Sequence, residues 1–187
     1  TSLPGYVEGQ RPADHWVSEA TELSRRGFRA MKLRIGRYAP EEELPVIAEV
    51  KRALLAGTRL MADGNAAYTL GTAISVGEEL ASIGLFWFEE PLSQLGYHGY
   101  PELRRKLRIP LAGGEGLQTR HAFANLLERG GVDIIQPDAS ICGGIAECLF
   151  VADLAALSAV RCVPHCWGGA ITLAATLHVV SLLPDPS

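Results

Sequence analysis

Three carboxylates recur in phase along the chain. Asp63 closes the apolar run Arg59-Leu60-Met61-Ala62, Glu89 closes Leu85-Phe86-Trp87-Phe88, and Glu115 follows Pro110-Leu111-Ala112-Gly113-Gly114. Asp63 to Glu89 and Glu89 to Glu115 are both 26 residues, the length of one strand, one helix and two connections. Consecutive parallel strands would then deliver all three to one end of a sheet. In a (β/α) barrel that end is the C-terminal face, where chemistry is housed. Three oxygen ligands, with room left for water and substrate oxygens, suit a hard divalent cation such as Mg²⁺. A single carboxylate at a βα turn is ordinarily a solvated group or a helix N-cap. Three in phase, in Glu-Glu-Pro and Gly-Gly-Glu contexts, favour the metal.

A second set carries the other charge. In Met31-Lys32-Leu33-Arg34-Ile35 the side-chain period is two, so Lys32 and Arg34 share one face of a strand while Met31, Leu33 and Ile35 share the other. If the apolar set faces the helices, the two cations lie near the carboxylates, either as catalytic groups or as structural counter-ions. Asp138 and His165 fall at the ends of two later, adjacent strands. A carboxylate that accepts a hydrogen bond from one imidazole nitrogen fixes the tautomer and raises the basicity of the other. That arrangement suits a general base that later returns a proton as an acid. His15, His98, His121 and His178 have no such context.

The elements that must position these residues alternate. Leu3 to Val7 reads as a first strand, and Asp14 as the N-cap of a helix through Trp16 and Leu23 that Gly27 ends. Phe28 to Ile35 is the next strand, followed by a helix opened by Glu41-Glu42-Glu43, an acidic turn that complements the helix dipole. After the Asp63 strand come Asn65 in a loop, a helix from Thr69 to Ile83 and the Glu89 strand. A short helix around Glu102 to Leu107 precedes the Glu115 strand, and a helix from Thr119 to Glu128 follows it. The unit repeats as Val132 to Gln136, helix Ile145 to Leu157, Val160 to Val163 and an apolar helix Ala170 to Leu183. About seven strands alternating with seven helices, with no linker, predict a parallel α/β sheet. Polar residues end strand after strand rather than gathering at one switch point, so a barrel fits better than a doubly wound open sheet.

Composition sets limits. The chain of 187 residues is 48% hydrophobic and can bury a sizeable core, yet a complete (β/α)₈ barrel takes about 250 residues. No eighth strand follows Leu183-Pro184, which predicts that residues 1–187 form one barrel domain truncated before its last strand. The net charge of −4 comes without a basic run, which predicts no nucleic-acid or anionic-membrane partner. No apolar stretch reaches the roughly 18 residues of a spanning helix and no signal peptide is evident at the start, so a cytoplasmic protein is expected. Cys142, Cys148, Cys162 and Cys166 form no CxxC pair and read as reduced thiols. A zinc site from Cys162, His165 and Cys166 has neither the spacing nor a fourth ligand.

Lys32-x-Arg34, Asp63-x-Asn65, Phe88-Glu89-Glu90-Pro91, Gly114-Glu115, Pro137-Asp138 and Pro164-His165 resemble the enolase superfamily, specifically its mandelate racemase and muconate lactonizing enzyme branch. The resemblance covers nearly the whole chain, in order. It implies a TIM-like (β/α)₇β barrel, apparently incomplete here, that binds Mg²⁺ through Asp63, Glu89 and Glu115. The activity it implies is abstraction of the proton α to a carboxylate through an enediolate, with Lys32, Arg34, Asp138 and His165 as catalytic residues. The expected partner is a small-molecule carboxylate, a hydroxy acid or acid sugar, and a homo-oligomer is expected because family members usually assemble. Asn65 is a candidate for a substrate hydroxyl, or equally a loop-capping amide.

One departure narrows the chemistry. Where the branch's Lys-x-Lys motif places its second lysine as the usual base, this chain has Arg34, and a guanidinium stays protonated. His165 is left as the base, with Lys32 a possible second one. Racemisation, which needs an acid/base on each face of the carbon, is disfavoured. Dehydration of an acid sugar is expected first, since one histidine can take the α-proton and then protonate a departing hydroxyl. Pro164-His165-Cys166-Trp167-Gly168-Gly169 also resembles sugar-lactone cycloisomerases of this branch. The resemblance further implies an N-terminal capping domain and an eighth strand that this chain lacks. A reading of another class is therefore an inactive metal-binding fragment or pseudoenzyme.

Overall fold

The computed structural model describes residues 8–95 and 97–184. The expected strand at Leu3 to Val7 lies outside the described residues. The chain forms two compact units, Thr1–Ser93 with Arg105–Pro110, and Gln94–Arg104 with Leu111–Ser187.

In the first unit, α1 (Pro12–Arg25), β1 (Ala30–Arg34), α2 (Pro40–Ala53), β2 (Arg59–Asp63), α3 (Leu70–Ile83) and β3 (Phe88–Glu89) alternate as expected. The strands are parallel in the order β1-β2-β3. Asp14 does not cap α1. Arg11 is the N-cap, and Asp14 sits three residues inside, its carboxylate accepting the Arg11 amide at 2.7 Å in a capping box. Pro12 at the first helical position shifts the start forward, because its fixed φ is already helical. Met31, Leu33 and Ile35 are buried with Trp16, Ile47 and Leu80. The apolar face of β1 thus meets helices and leaves Lys32 and Arg34 on the other face.

The acidic turn of α2 has a role beyond the dipole. Glu43 is 1% exposed, and its two carboxylate oxygens accept the Gly36 amide at 2.7 Å and the Tyr38 amide at 3.1 Å. A buried carboxylate thus ties down the loop that leaves β1. Burial, assisted by the Glu43 charge, pushes the Tyr68 phenol up out of its ordinary range. Gly36 has φ +97°, and a Cβ there would stand 2.5 Å from the Ala67 Cβ. The Gly36→Ala variant is therefore expected to lose about 1–3 kcal/mol, read as a lower urea midpoint with an unchanged slope.

The second unit holds α4 (Tyr100–Lys106) up to Arg104, then β4 (Leu111–Gly113), α5 (Thr119–Glu128), β5 (Ile134–Ile135), α6 (Ile145–Leu157), β6 (Arg161–Cys162) and α7 (Ala170–Val180). The strands are again parallel, β4-β5-β6. Ile134 and Ile135 are both buried, as expected of a parallel strand covered on two faces. Phe123, Leu126, Val151 and Ala155 supply the helix side of this core. Ile171, Leu173 and Leu177 of α7 are exposed. Among the described residues no helix is long and apolar enough to cross a membrane.

Candidate active site

The first unit gathers the cationic pair and two of the three carboxylates. Arg34 pairs in register with Asp63, and Asp63 with Glu89, so the three side chains project from the same edge of neighbouring strands. Asp63 is 2% exposed and Glu89 fully buried. Burying a carboxylate is costly unless it is paired and hydrogen-bonded, and each oxygen here has a partner. Asp63 Oδ1 accepts the Asn65 amide at 2.9 Å, while its Oδ2 stands 3.3 Å from Lys32 Nζ and 3.6 Å from Arg34 Nη2. Lys32 Nζ donates to Glu89 Oε1, and the Trp87 indole N–H donates to Glu89 Oε2 at 3.0 Å. The Lys32 ammonium thus touches both carboxylates, the place where a more highly charged cation would be most favoured.

The turns behind these carboxylates are locked to each other. The Gly64 amide donates to the Glu89 carbonyl at 2.8 Å, the Ala66 amide to the Glu90 carbonyl at 2.7 Å and the Tyr68 amide to the Pro91 carbonyl at 3.2 Å. Asn65, Ala66 and Glu90 hold φ values of +44°, +62° and +38°, a left-handed conformation that non-glycine residues adopt at a cost. Asn65 contributes its backbone N–H to Asp63, and its exposed side chain is open to solvent.

The second unit holds the other set. Asp138 and His165 form an isolated parallel bridge three residues past the ends of β5 and β6, and His165 Nδ1 lies 2.7 Å from Asp138 Oδ2. With Asp138 fully buried, that contact assigns the proton to Nδ1 and leaves the Nε2 lone pair as the basic position. Nε2 stands 3.4 Å from Glu115 Oε2. Glu115 lies two residues beyond β4, after Gly114 with φ +108°. The expected pairing of Asp138 with His165 is therefore present.

Burial works against ionisation of Asp138, but the Ser140 hydroxyl at 2.5 Å, the Ser140 amide at 2.8 Å and the His165 ring together outweigh it. The carboxyl is held below its usual range. A lowered folded-state pKa contributes stability that is complete above the unfolded value of about 3.9 and fades as pH falls through the folded value. Ser140→Ala is therefore expected to cost about 1–3 kcal/mol at neutral pH. It should also move the acid limb of a thermal-melt pH series to higher pH, while above pH 6 the curves should run parallel.

Three contributors were not singled out from the sequence: Trp87, Ser140 and Glu43. The first two carry a signal. Trp87 is two residues before Glu89 and so shares its strand face. Ser140 is two residues after Asp138, the offset of a side chain that closes its own turn. Nothing in the acidic triplet marked Glu43 as the buried member.

Among the described residues no group of three or more His, Cys, Asp or Glu is arranged to hold a metal ion. All four cysteines are free. Burial pushes the Cys148 thiol up, and the Cys162 thiol up to about 12, which makes both poor nucleophiles.

Residues 15–187 match the family model for enolase C-terminal domain-like proteins. The chain belongs to the enolase C-terminal domain-like family. The branch and the parallel α/β, TIM-like fold class expected from the motifs are thereby borne out. Among its relatives, the D-galactarolactone cycloisomerase of Agrobacterium fabrum is 42% identical over 171 residues, covering 91% of this chain and 45% of the relative. The D-galactonate dehydratase of Verminephrobacter eiseniae is 33% identical over 94% of this chain and 48% of its own. A solved racemase from Streptomyces coelicolor A3(2), described with bound magnesium, superposes with a TM-score of 0.84 at 29% identity, over 95% of this chain and 48% of that one. The chain spans about half the length of the curated relatives it matches. Enolase-family proteins generally use Mg²⁺.

Proposed function

We propose that the protein containing this chain abstracts the proton α to the carboxylate of an acid sugar in a Mg²⁺-dependent reaction, with dehydration as the outcome. The observation that carries the reading is the His165–Asp138 pair, a buried anion 2.7 Å from one nitrogen of an imidazole. The donor set fits a hard divalent cation, because Asp63 and Glu89 are in-register buried carboxylates that share a single ammonium. Asp63, Glu89 and Glu115 are proposed as the residues that hold Mg²⁺, on their common spacing and strand-end positions. Bound there, the ion supplies positive charge to offset the second negative charge that develops on the substrate carboxylate.

The chain's own residues do the rest. His165 Nε2 takes the α-proton, and Asp138 stabilises the imidazolium that forms. His165 then returns the proton to the departing β-hydroxyl, leaving an enol that relaxes to a 2-keto-3-deoxy acid. Arg34, 39% exposed on its side chain, anchors a substrate anion rather than moving protons. Lys32 supplies charge beside the carboxylates. The exposed Asn65 amide is proposed to contact a substrate hydroxyl.

Cycloisomerisation of a sugar lactone is the second reading. The 42% identity to the Agrobacterium cycloisomerase, above the 33% to the dehydratase, favours it. Both begin with the same proton transfer and differ in what the enediolate expels. The test is α-proton exchange with deuterium, followed by NMR over a panel of aldonic acids, aldaric acids and their lactones with and without Mg²⁺. A 2-keto-3-deoxy product indicates dehydration, and a rearranged lactone indicates cycloisomerisation. Tight Mg²⁺ binding without exchange on any substrate would overturn both in favour of a metal-binding scaffold.

A further inference from the structure

We infer that Trp87 is a positioning residue that selects the metal, by reserving one oxygen of Glu89 so that this carboxylate offers a cation only the other. The inference rests on the proposed metal site and deepens it. Trp87 is 8% exposed and Glu89 is fully buried. The indole N–H donates to Oε2 at 3.0 Å, while Oε1 takes the Lys32 ammonium. The two partners differ in kind. Lys32 is a charge, which a divalent ion displaces by stronger attraction to the same oxygen. The indole is a neutral donor with no other role open to it, because a buried Trp N–H that loses its acceptor is left unsatisfied.

Oε2 therefore stays with the indole when Oε1 is given up. A carboxylate restricted to one oxygen suits Mg²⁺, which takes six ligands in a tight octahedron and keeps several waters. It penalises Ca²⁺, which takes more ligands and gains from bidentate carboxylates. The Trp87 ring is also tilted against that of Phe86, at 43° and a centroid distance of 5.6 Å, and is buried, so the indole is held by packing as well as by its hydrogen bond.

The experiment is calorimetric titration of the protein and of its Trp87→Phe variant with Mg²⁺ and with Ca²⁺ separately, in the absence of substrate. Removing a partner that orients a metal ligand typically costs 10–100-fold in affinity. Mg²⁺ binding is expected to weaken by about that factor, with Ca²⁺ binding unchanged or tighter, so that the Mg²⁺/Ca²⁺ preference falls at least tenfold. Equal weakening of both ions would reveal mere packing and overturn the inference, as would unchanged affinity for both. If wild type binds neither ion, the metal site itself fails, an outcome distinct from binding without selectivity. A measurement on wild type covers a variant that does not fold. The Trp87 indole proton, assigned with Trp16→Phe and Trp167→Phe, is expected to stay protected from exchange when Mg²⁺ is added. Its loss of protection in saturating Mg²⁺ would show Oε2 released, and the inference would fall.

Discussion

His165→Asn is expected to reduce α-proton exchange by about 10²–10⁴-fold, the usual worth of a positioned acid/base, while Mg²⁺ affinity and the thermal midpoint stay close to wild type. The asparagine amide can still donate to Asp138, which keeps that buried anion satisfied. What it cannot do is accept a proton at the Nε2 position. Arg34→Met provides the contrast. A guanidinium that anchors substrate and never titrates raises KM when removed and leaves exchange detectable at saturation. Exchange that survives His165→Asn at full rate would place the base elsewhere, with Lys32 the next candidate. Asp138→Asn should follow the histidine variant, since the wrong tautomer of His165 would present N–H rather than a lone pair at Nε2.

Glu89→Gln is expected to weaken Mg²⁺ binding by more than about 100-fold, because losing a ligand costs more than losing a group that orients one. It also removes the negative partner of Lys32, whose side chain is 17% exposed and retains Asp63 at 3.3 Å. Breaking a fully buried pair costs about 3–5 kcal/mol, and the remaining Asp63 contact should hold this loss nearer about 1–3 kcal/mol. Titration calorimetry and urea unfolding on the same samples separate the two effects. If affinity for Mg²⁺ survives and stability falls, Glu89 is a structural counter-ion. If both are unchanged, the site lies elsewhere.

Much of this was legible without coordinates. The alternation of short apolar runs with amphipathic segments marked the strands and helices of the described residues, because periods of two and 3.6 leave different imprints. The two-residue period of 31–35 placed Lys32 and Arg34 on one face and Met31, Leu33 and Ile35 in the core, as observed. Asp63 and Glu89 end their strands as expected, and Glu115 lies two residues beyond its own. The motifs carried enough shape to name the family.

Helix starts were less legible. Asp14 has the right side chain for an N-cap, but Pro12 moved the start and made it the third residue of a capping box. The same limit applies inside the site. A sequence says which residues could ionise, but not which of Glu41, Glu42 and Glu43 turns inward to hold Gly36 and Tyr38, since that depends on which helix face the sheet covers. Nor does it say that the Trp87 indole ends on Glu89, or that two donors from Ser140 hold Asp138 ionised. Residue types and spacing determined the family, the strand ends and the candidate chemistry, since those follow from local periodicity. Tertiary structure alone decided the partners of each buried oxygen, because a hydrogen bond requires placement to a few tenths of an ångström, and only packing between distant segments provides that.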